Sequence, residues 1–323
     1  MQAQTLKVRV DALREEAHGV RSFIISRVDK LPFERHEPGA HIDVTSPSGV
    51  VRQYSLCGDP ECLDSQTFAV KKEEQSRGGS RSLHDDVNVG TELSIGAPRN
   101  LFRLAEDASE HILIGAGIGI TPLLSMAYRL AARNARFTLH YFARSEEHAA
   151  FMGLLGRPQF NAHVQLHFGV EPDALPERLD ACMRDAAGSA HVYTCGPGPF
   201  MGLVVQSGQK RLPADAIHLE RFKAEPSEPA SDASLDSFDV RIASTGQTVH
   251  VDAKRSIVDA LASIGIEVDT SCGEGVCGTC MVDVVSGEPE HRDHCLSKAE
   301  RASSSVICCC VSRSRSPVLV LDL

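Results

Sequence analysis

At 323 residues, 42% hydrophobic and 24% charged, the chain is long enough for two domains or three small ones and has the balance of a folded globular protein. Its 33 Lys and Arg against 43 Asp and Glu give a net charge of −10, which disfavours nucleic-acid binding unless the basic residues gather on one face. The longest apolar stretch, residues 112–127, is broken by three glycines and a proline and falls short of the ~20 residues of a membrane span.

No apolar h-region opens the chain, so a cytoplasmic protein is expected. The first hundred residues read as short alternating strands: LKVRVDAL, VRSFIISRV, AHIDVTSP, VVRQYSLCG, TFAVKKEE and TELSIGAP. Many short strands without long helical patterns predict a small antiparallel β-barrel. Within it RQYS, residues 52–55, puts a cation, an aromatic face and a hydroxyl on one side of a strand, as a flat anionic ligand requires. The turn SRGGS, residues 76–80, opens a short helix. Its backbone donors and arginine suit a phosphate, and a merely capped helix explains the same residues.

From His111 the pattern becomes HILIGAG, a helix from Pro122 to Arg133, then strands RFTLHYFA, VQLHFGV and HVYTCG with helical segments between them. Alternating strand and helix predicts an α/β domain with a parallel sheet. In ILIGAGIGITP the glycines at 115, 117 and 119 let the backbone approach a pyrophosphate, and Pro122 suits a helical first turn, although the loop is not G-x-G-x-x-G. At the end of the strand VYTCGP, Cys195 offers a soft uncharged thiol to a flat ring. Arg144 and Ser145 stand where an acidic ribose ligand is usual and suit a 2′-phosphate. No histidine has a metal-ligand partner at a recognisable spacing, so all read as surface or hydrogen-bonded residues.

The Pro-, Ser- and acid-rich stretch AEPSEPASDASLDS reads as a solvated linker. Beyond it come a hairpin (SFDVRIAS, TVHVD), a helix IVDALASIG, a cysteine-rich segment and a terminal strand PVLVLDL. Seven of the 11 cysteines lie there, in a chain too long and apparently too cytosolic for a disulfide framework. TSCGEGVCGTC is C-x4-C-x2-C at Cys272, Cys277 and Cys280, with another cysteine about thirty residues later. That is the plant-type spacing for a 2Fe-2S cluster. A structural zinc site is the rival, but it usually pairs two short knuckles. The run Cys308, Cys309 and Cys310 leaves the fourth ligand open.

In this loop, in EHRDHCLS and in CVSRSRSPVLVLDL the chain resembles the phthalate dioxygenase reductase family, which includes the vanillate demethylase reductases. The likeness runs through nearly the whole chain. It implies an FMN-binding β-barrel over residues 1–105, an NAD-binding α/β domain over 106–224, a linker over 225–237 and an α+β ferredoxin domain of β-grasp type over 238–323. It implies FMN contacts from Arg52, Tyr54, Ser55, Ala69, Val70, Lys71, Arg77, Gly78, Gly79, Ser80, Thr121 and Phe222, the last stacking on the ring. It implies NAD contacts from Gly115, Gly117, Ile118, Gly119, Arg144, Ser145, Cys195, Gly196 and Pro197, with Cys195 and Thr121 at the site of hydride transfer. The family loop A-G-G-I-G-I-T-P is present with its first Gly and Ala interchanged at Gly115 and Ala116. The fourth cluster ligand precedes a V-S-R triplet in the family, which selects Cys310.

The function so implied is a reductase that passes electrons from NADH through FMN and a 2Fe-2S cluster to a Rieske-type oxygenase or demethylase acting on aromatic acids or related molecules. The cofactors supply the redox chemistry, and the protein positions them. A monomer that meets its oxygenase transiently is expected. The rivals are a standalone NADH diaphorase, a flavin-free ferredoxin-type carrier and a zinc-stabilised interaction module.

Overall fold

The structure, a computed structural model, describes residues 5–223 and 237–323. These form two compact units, one ending at Glu220 and the other beginning at Arg221. The expected linker over 225–237 lies, except for Ser237, outside the described residues.

The first unit opens with β1 (Leu6–Ala17), β2 (Val20–Arg27), β3 (His41–Thr45), β4 (Val51–Ser55), β5 (Gln66–Lys71), helix α1 (Gly79–Asp85) and β6 (Glu92–Ile95). The strands form an antiparallel sheet in the order β4-β3-β6-β1-β2-β5, and a bridge between Leu56 and Phe68 joins its two ends into a barrel. Alternation sets the core: Val8, Val10, Phe23, Ile25, Ile42 and Phe68 are all fully buried. Phe23 and Phe68 stack at 4.9 Å across β2 and β5. β1 runs four residues past its expected end at Leu13 by absorbing irregularities after Val10 and Glu15.

The chain continues through β7 (Glu110–Ala116), α2 (Ile120–Ala132), β8 (Phe137–Ala143), α3 (Met152–Leu155), α4 (Pro158–Asn161), β9 (Val164–Phe168), α5 (Leu175–Cys182), β10 (Ala190–Cys195), α6 (Gly198–Gln209) and β11 (Ile217–Glu220). The sheet is parallel, ordered β11-β10-β7-β8-β9. β7 is apolar from Ile112 onward because both of its faces are covered there: Leu113 packs with α2, whereas Ile112 and Ile114 pack with α5 and α6. The α2 core also takes in Val20, Cys57, Ala69 and Phe102 from the barrel side, and Gly39 N–H donates to Ser125 Oγ at 2.9 Å. Barrel and parallel sheet therefore share one core. β11 was not among the expected strands, and α2 starts at Ile120 because the Gly117–Gly119 turn runs straight into it.

The second unit comprises β12 (Phe238–Ile242), β13 (Thr248–Val251), α7 (Ile257–Ala262), β14 (Met281–Ser286), β15 (Pro289–Glu290), α8 (Lys298–Ser303), β16 (Val306–Cys308), β17 (Arg313–Ser314) and β18 (Val318–Leu321). Its main sheet runs β13-β12-β18-β14-β16, with the terminal strand β18 at the centre, parallel to β12 and antiparallel to β14. α8 begins with a capping box in which Ser297 and Glu300 satisfy each other's backbone N–H, a signal already visible in S-K-A-E.

Histidines of the first unit, among them the buried His36 and the half-buried His218, set an acid limit on stability. Burial pushes His36 and His218 down from 6.5 to about 4. Between these values the unfolded chain binds protons that the folded chain refuses, so stability falls as pH drops through that window. The urea midpoint should fall from about pH 7 to about pH 5, and fall less in a His36→Gln variant. Equal losses in both proteins would remove His36 from the account.

Candidate functional site

Strand alternation puts Arg52 and Tyr54 on one face of β4 and Ser55, at its end, on the other, so the cation, ring and hydroxyl do not share one side as expected. Tyr54 lies over Phe68 at 5.6 Å, and burial raises its phenol to about 12, which keeps it a neutral donor. A Cβ on Gly79 would lie 3.2 Å from Cγ of Arg52, so R-Q-Y-S and the R-G-G-S turn adjoin in space. Arg77 is exposed, Gly78 precedes α1 with φ +97°, and the Ser80 hydroxyl accepts from Glu73 N–H at 3.2 Å instead of capping the helix. On β5 Ala69 faces the core shared with α2. Val70 points into the barrel core and its carbonyl meets the His84 ring at 2.9 Å, while Lys71 pairs with Glu73.

A continuous row of polar residues then crosses from barrel to parallel sheet. Ser55 pairs with His41 in β3, His41 Nδ1 lies 3.7 Å from Glu220 Oε1, Glu220 pairs with Cys195 across β11 and β10, and Cys195 pairs with Gly115. Ser55 Oγ, His41 Nε2 and Glu220 Oε2 are buried along this row without a hydrogen-bond partner among the described residues, as is Thr194 Oγ1 on the face of β10 opposite Cys195. Each such group costs about 1–3 kcal/mol unless something binds it. A flat heterocycle carrying both donors and acceptors, such as a flavin, fits that donor and acceptor set. Cys195 is fully buried, and burial with the Glu220 charge holds its thiol well above the ordinary range, so it stays an uncharged S–H.

The loop after β7 explains its own glycines in part. A Cβ at Gly119 would lie 2.2 Å from the Cys195 carbonyl oxygen, so this close approach is of the chain to itself. The methyl of Ala116 faces Gly196, whose own Cβ would come within 3.0 Å of it, so the interchanged alanine is accommodated there. Gly117 and Ile118 form a single tight turn with Gly119, and the Thr121 hydroxyl donates to the Ile118 carbonyl at 2.9 Å, which leaves it acceptor capacity alone towards a ligand. Pro197 is exposed just before α6. Arg144 is exposed, and Ser145 Oγ meets His148 Nδ1 at 2.8 Å. Phe222 is 41% exposed.

In the second unit the Cys272 thiol is within hydrogen-bonding reach of Cys277 and Cys310, and the Cys280 thiol within reach of Cys308 and Cys310. Glu274 N–H donates to Cys272 Sγ at 3.3 Å and Cys310 N–H to Cys280 Sγ at 3.4 Å, the backbone donors that a thiolate-bound cluster requires. Cys309 is buried in the apolar core, and Cys308 Sγ lies 3.2 Å from Cys295 Sγ. Four thiols with N–H donors, in a glycine-rich loop, fit a 2Fe-2S cluster held by Cys272, Cys277, Cys280 and Cys310.

Sequence reasoning passed over His41, Thr194, Glu220 and Asp293. A carboxylate at the end of the strand in HLERF was the available signal for Glu220. Asp293, 1% exposed, accepts from Leu296 N–H at 3.0 Å, Arg301 Nη2 at 3.3 Å and Ser312 Oγ at 3.4 Å. It walls the cysteine loop: Gly275 has φ +70°, and a Cβ there would lie 3.0 Å from Asp293 Cα and 2.6 Å from Val311 Cγ2.

A family model described as 2Fe-2S iron-sulfur cluster binding domain matches residues 240–315. The chain is 42% identical to a vanillate O-demethylase oxidoreductase of Pseudomonas sp. over 319 residues, 98% of this chain and 100% of that one. It is 37% identical to a carnitine monooxygenase reductase subunit of Acinetobacter pittii over 305 residues, 94% and 98% of the two chains. Phthalate dioxygenase reductase, described as a modular structure for electron transfer from pyridine nucleotides to a 2Fe-2S centre, aligns with TM-score 0.69 and 33% identity over 99% of this chain and 98% of that one. Likeness of this extent, together with the cysteine loop and the glycine turn, places the chain in the vanillate O-demethylase oxidoreductase and phthalate dioxygenase reductase family: it is an oxidoreductase, the flavin- and 2Fe-2S-dependent reductase subunit of an oxygenase system.

Proposed function

We propose that the flavin is FMN, that NADH is the donor, and that the electrons leave the cluster for a Rieske-type oxygenase. The observation that carries the reading is the row of buried, unpartnered polar atoms from Ser55 through His41 to Glu220, which leads from the strand that bears R-Q-Y-S to the neighbour of the strand that ends in C-G-P. When bound, the flavin supplies the exchange between a two-electron and a one-electron donor, and the cluster supplies the one-electron relay. Ser55 and Thr121 present hydroxyls to the flavin ring. Cys195, kept as a neutral thiol, lies against the nicotinamide without attacking it, and Glu220 and His41 offer a buried acid–base pair to the reacting rings. Arg77 to Ser80, beside the stem of Arg52, hold a terminal phosphate, which suits FMN. Chromatography of the flavin released by heat should give FMN alone, and FAD in its place would refute that assignment.

The preference for NADH rests on the family likeness and runs against the local hint of Arg144 and Ser145, which Glu146 and Glu147 in the following turn partly offset. The ratio of kcat/KM should favour NADH by at least about tenfold, a difference of about 1.4 kcal/mol. A ratio favouring NADPH, abolished in Arg144→Ala, would show instead that Arg144 reads a 2′-phosphate.

The partner's substrate is a property of the partner's pocket. The expectation of an aromatic acid narrows the field more than the relatives do, since one of them is named for carnitine.

A further inference from the structure

We propose that His140, His167 and Cys182 form a binding site for a borderline-soft transition-metal cation, zinc by preference. The residues come from two neighbouring parallel strands, β8 and β9, and from the last residue of α5. No histidine was expected to have a ligand partner at a recognisable spacing, because spacing along the chain does not show the contact made here between residues 27 positions apart.

Two of the three donor–donor distances are close to the edges of a tetrahedral site, and the third is short enough to close on a metal with a small shift of the Cys182 side chain. His140 Nδ1 lies 3.2 Å from His167 Nε2, Cys182 Sγ lies 3.9 Å from the same nitrogen, and the three donor atoms all lie within 4.8 Å of one another. With Zn–N about 2.0–2.1 Å and Zn–S about 2.3 Å, a tetrahedron has edges of about 3.3 Å between nitrogens and about 3.6 Å between nitrogen and sulfur. A linear Cys–His–His hydrogen-bond chain explains the two short contacts, but it does not require all three donors to converge.

The surroundings prepare the ligands. Burial holds both imidazoles near 4, so each is neutral and offers a lone pair at neutral pH. The His140 ring also hydrogen-bonds the Cys182 carbonyl, the outer contact that metal-bound histidines ordinarily make. Phe142 stacks on His167 at 4.2 Å and fixes that ring. His167 and Cys182 are half-buried, so a metal can enter from solvent and keep water as its fourth ligand. Burial raises the Cys182 thiol to about 11, and Arg178, one turn before it and facing both His167 and Cys182, offsets part of that rise while opposing the cation's charge, so the site is weaker than a multi-thiolate zinc site. On binding, the Zn–S bond forms as the thiol proton leaves to water, with no change of oxidation state.

The test uses the holoprotein, with iron content and visible spectrum confirming an intact cluster. It is equilibrated with zinc chloride against a competing chelator, zinc is counted by mass spectrometry, and the bound metal is examined by zinc-edge X-ray absorption. The expected result is one zinc per chain in a shell of one sulfur at about 2.3 Å and nitrogen or oxygen at about 2.0–2.1 Å. Cys182→Ser should remove the sulfur scatterer and weaken binding at least about tenfold, and His167→Gln should release the metal. Failure to retain zinc, equal retention by both variants, or a shell of several sulfurs would overturn the proposal. The wild-type absorption spectrum decides even if a variant fails to fold.

Discussion

Cys310→Ser is expected to strip the iron-sulfur cluster while leaving NADH-driven reduction of ferricyanide intact, because the residues proposed for flavin and nucleotide, Phe222 excepted, lie in a different compact unit from the cluster ligands. Cytochrome c, an acceptor served by the cluster, should no longer be reduced efficiently. The three adjacent cysteines give the experiment its contrast. Cys310 reaches Cys272 and Cys280, Cys309 is packed in the core, and Cys308 faces Cys295. Cys309→Ala should therefore keep its iron and its visible spectrum. Loss of the cluster in Cys308→Ser but not in Cys310→Ser would move the fourth ligand and contradict the arrangement described above.

Asp293→Ala is expected to produce the largest loss among residues that do not touch the cluster. Its carboxylate is fully buried and bound to Arg301, Ser312 and the Leu296 N–H. Arg301 is 35% exposed and can be rehydrated, so the cost is mainly that of the orphaned Ser312 hydroxyl and Leu296 N–H, about 1–3 kcal/mol for each such group. The backbone at 293 also presses on Gly275, in the middle of the ligand loop, so the damage should appear first as cluster loss. Iron release during chelator challenge should be much faster in Asp293→Ala than in Asp293→Asn, which retains part of the hydrogen bonding. Unchanged release in Asp293→Ala would show that the loop holds its shape without that wall.

Much of this architecture was legible because it is local. The six barrel strands follow from period-two alternation, β7 from a continuous apolar run, and the cluster loop from cysteine spacing alone. What stayed hidden depends on distant pairing. β14 and β16 are apolar-rich but short and flank a segment whose visible signal is its cysteines, and β11 is a four-residue sheet edge. The link from Ser55 through His41 to Glu220 joins three strands of one unit, and no spacing rule spans it. Cys308 ends β16 and Cys310 lies in the turn after it, so no spacing rule separates them: Cys308 Sγ meets Cys295, whereas Cys310 reaches Cys272. The glycines at 115 and 119 looked like nucleotide contacts, yet their nearest neighbours are Leu123 and Cys195 of the fold itself.

The central claim is that electrons entering from NADH pass through the flavin to the cluster and on to an oxygenase. The direct measurement is electron paramagnetic resonance on the holoprotein after anaerobic addition of NADH, followed by mixing with candidate Rieske oxygenases. The account predicts that NADH bleaches the flavin absorbance and raises a reduced 2Fe-2S signal, that the signal is missing in Cys310→Ser although the flavin still bleaches, and that an oxygenase partner discharges it. A flavin that bleaches while the intact cluster stays oxidised would contradict the account.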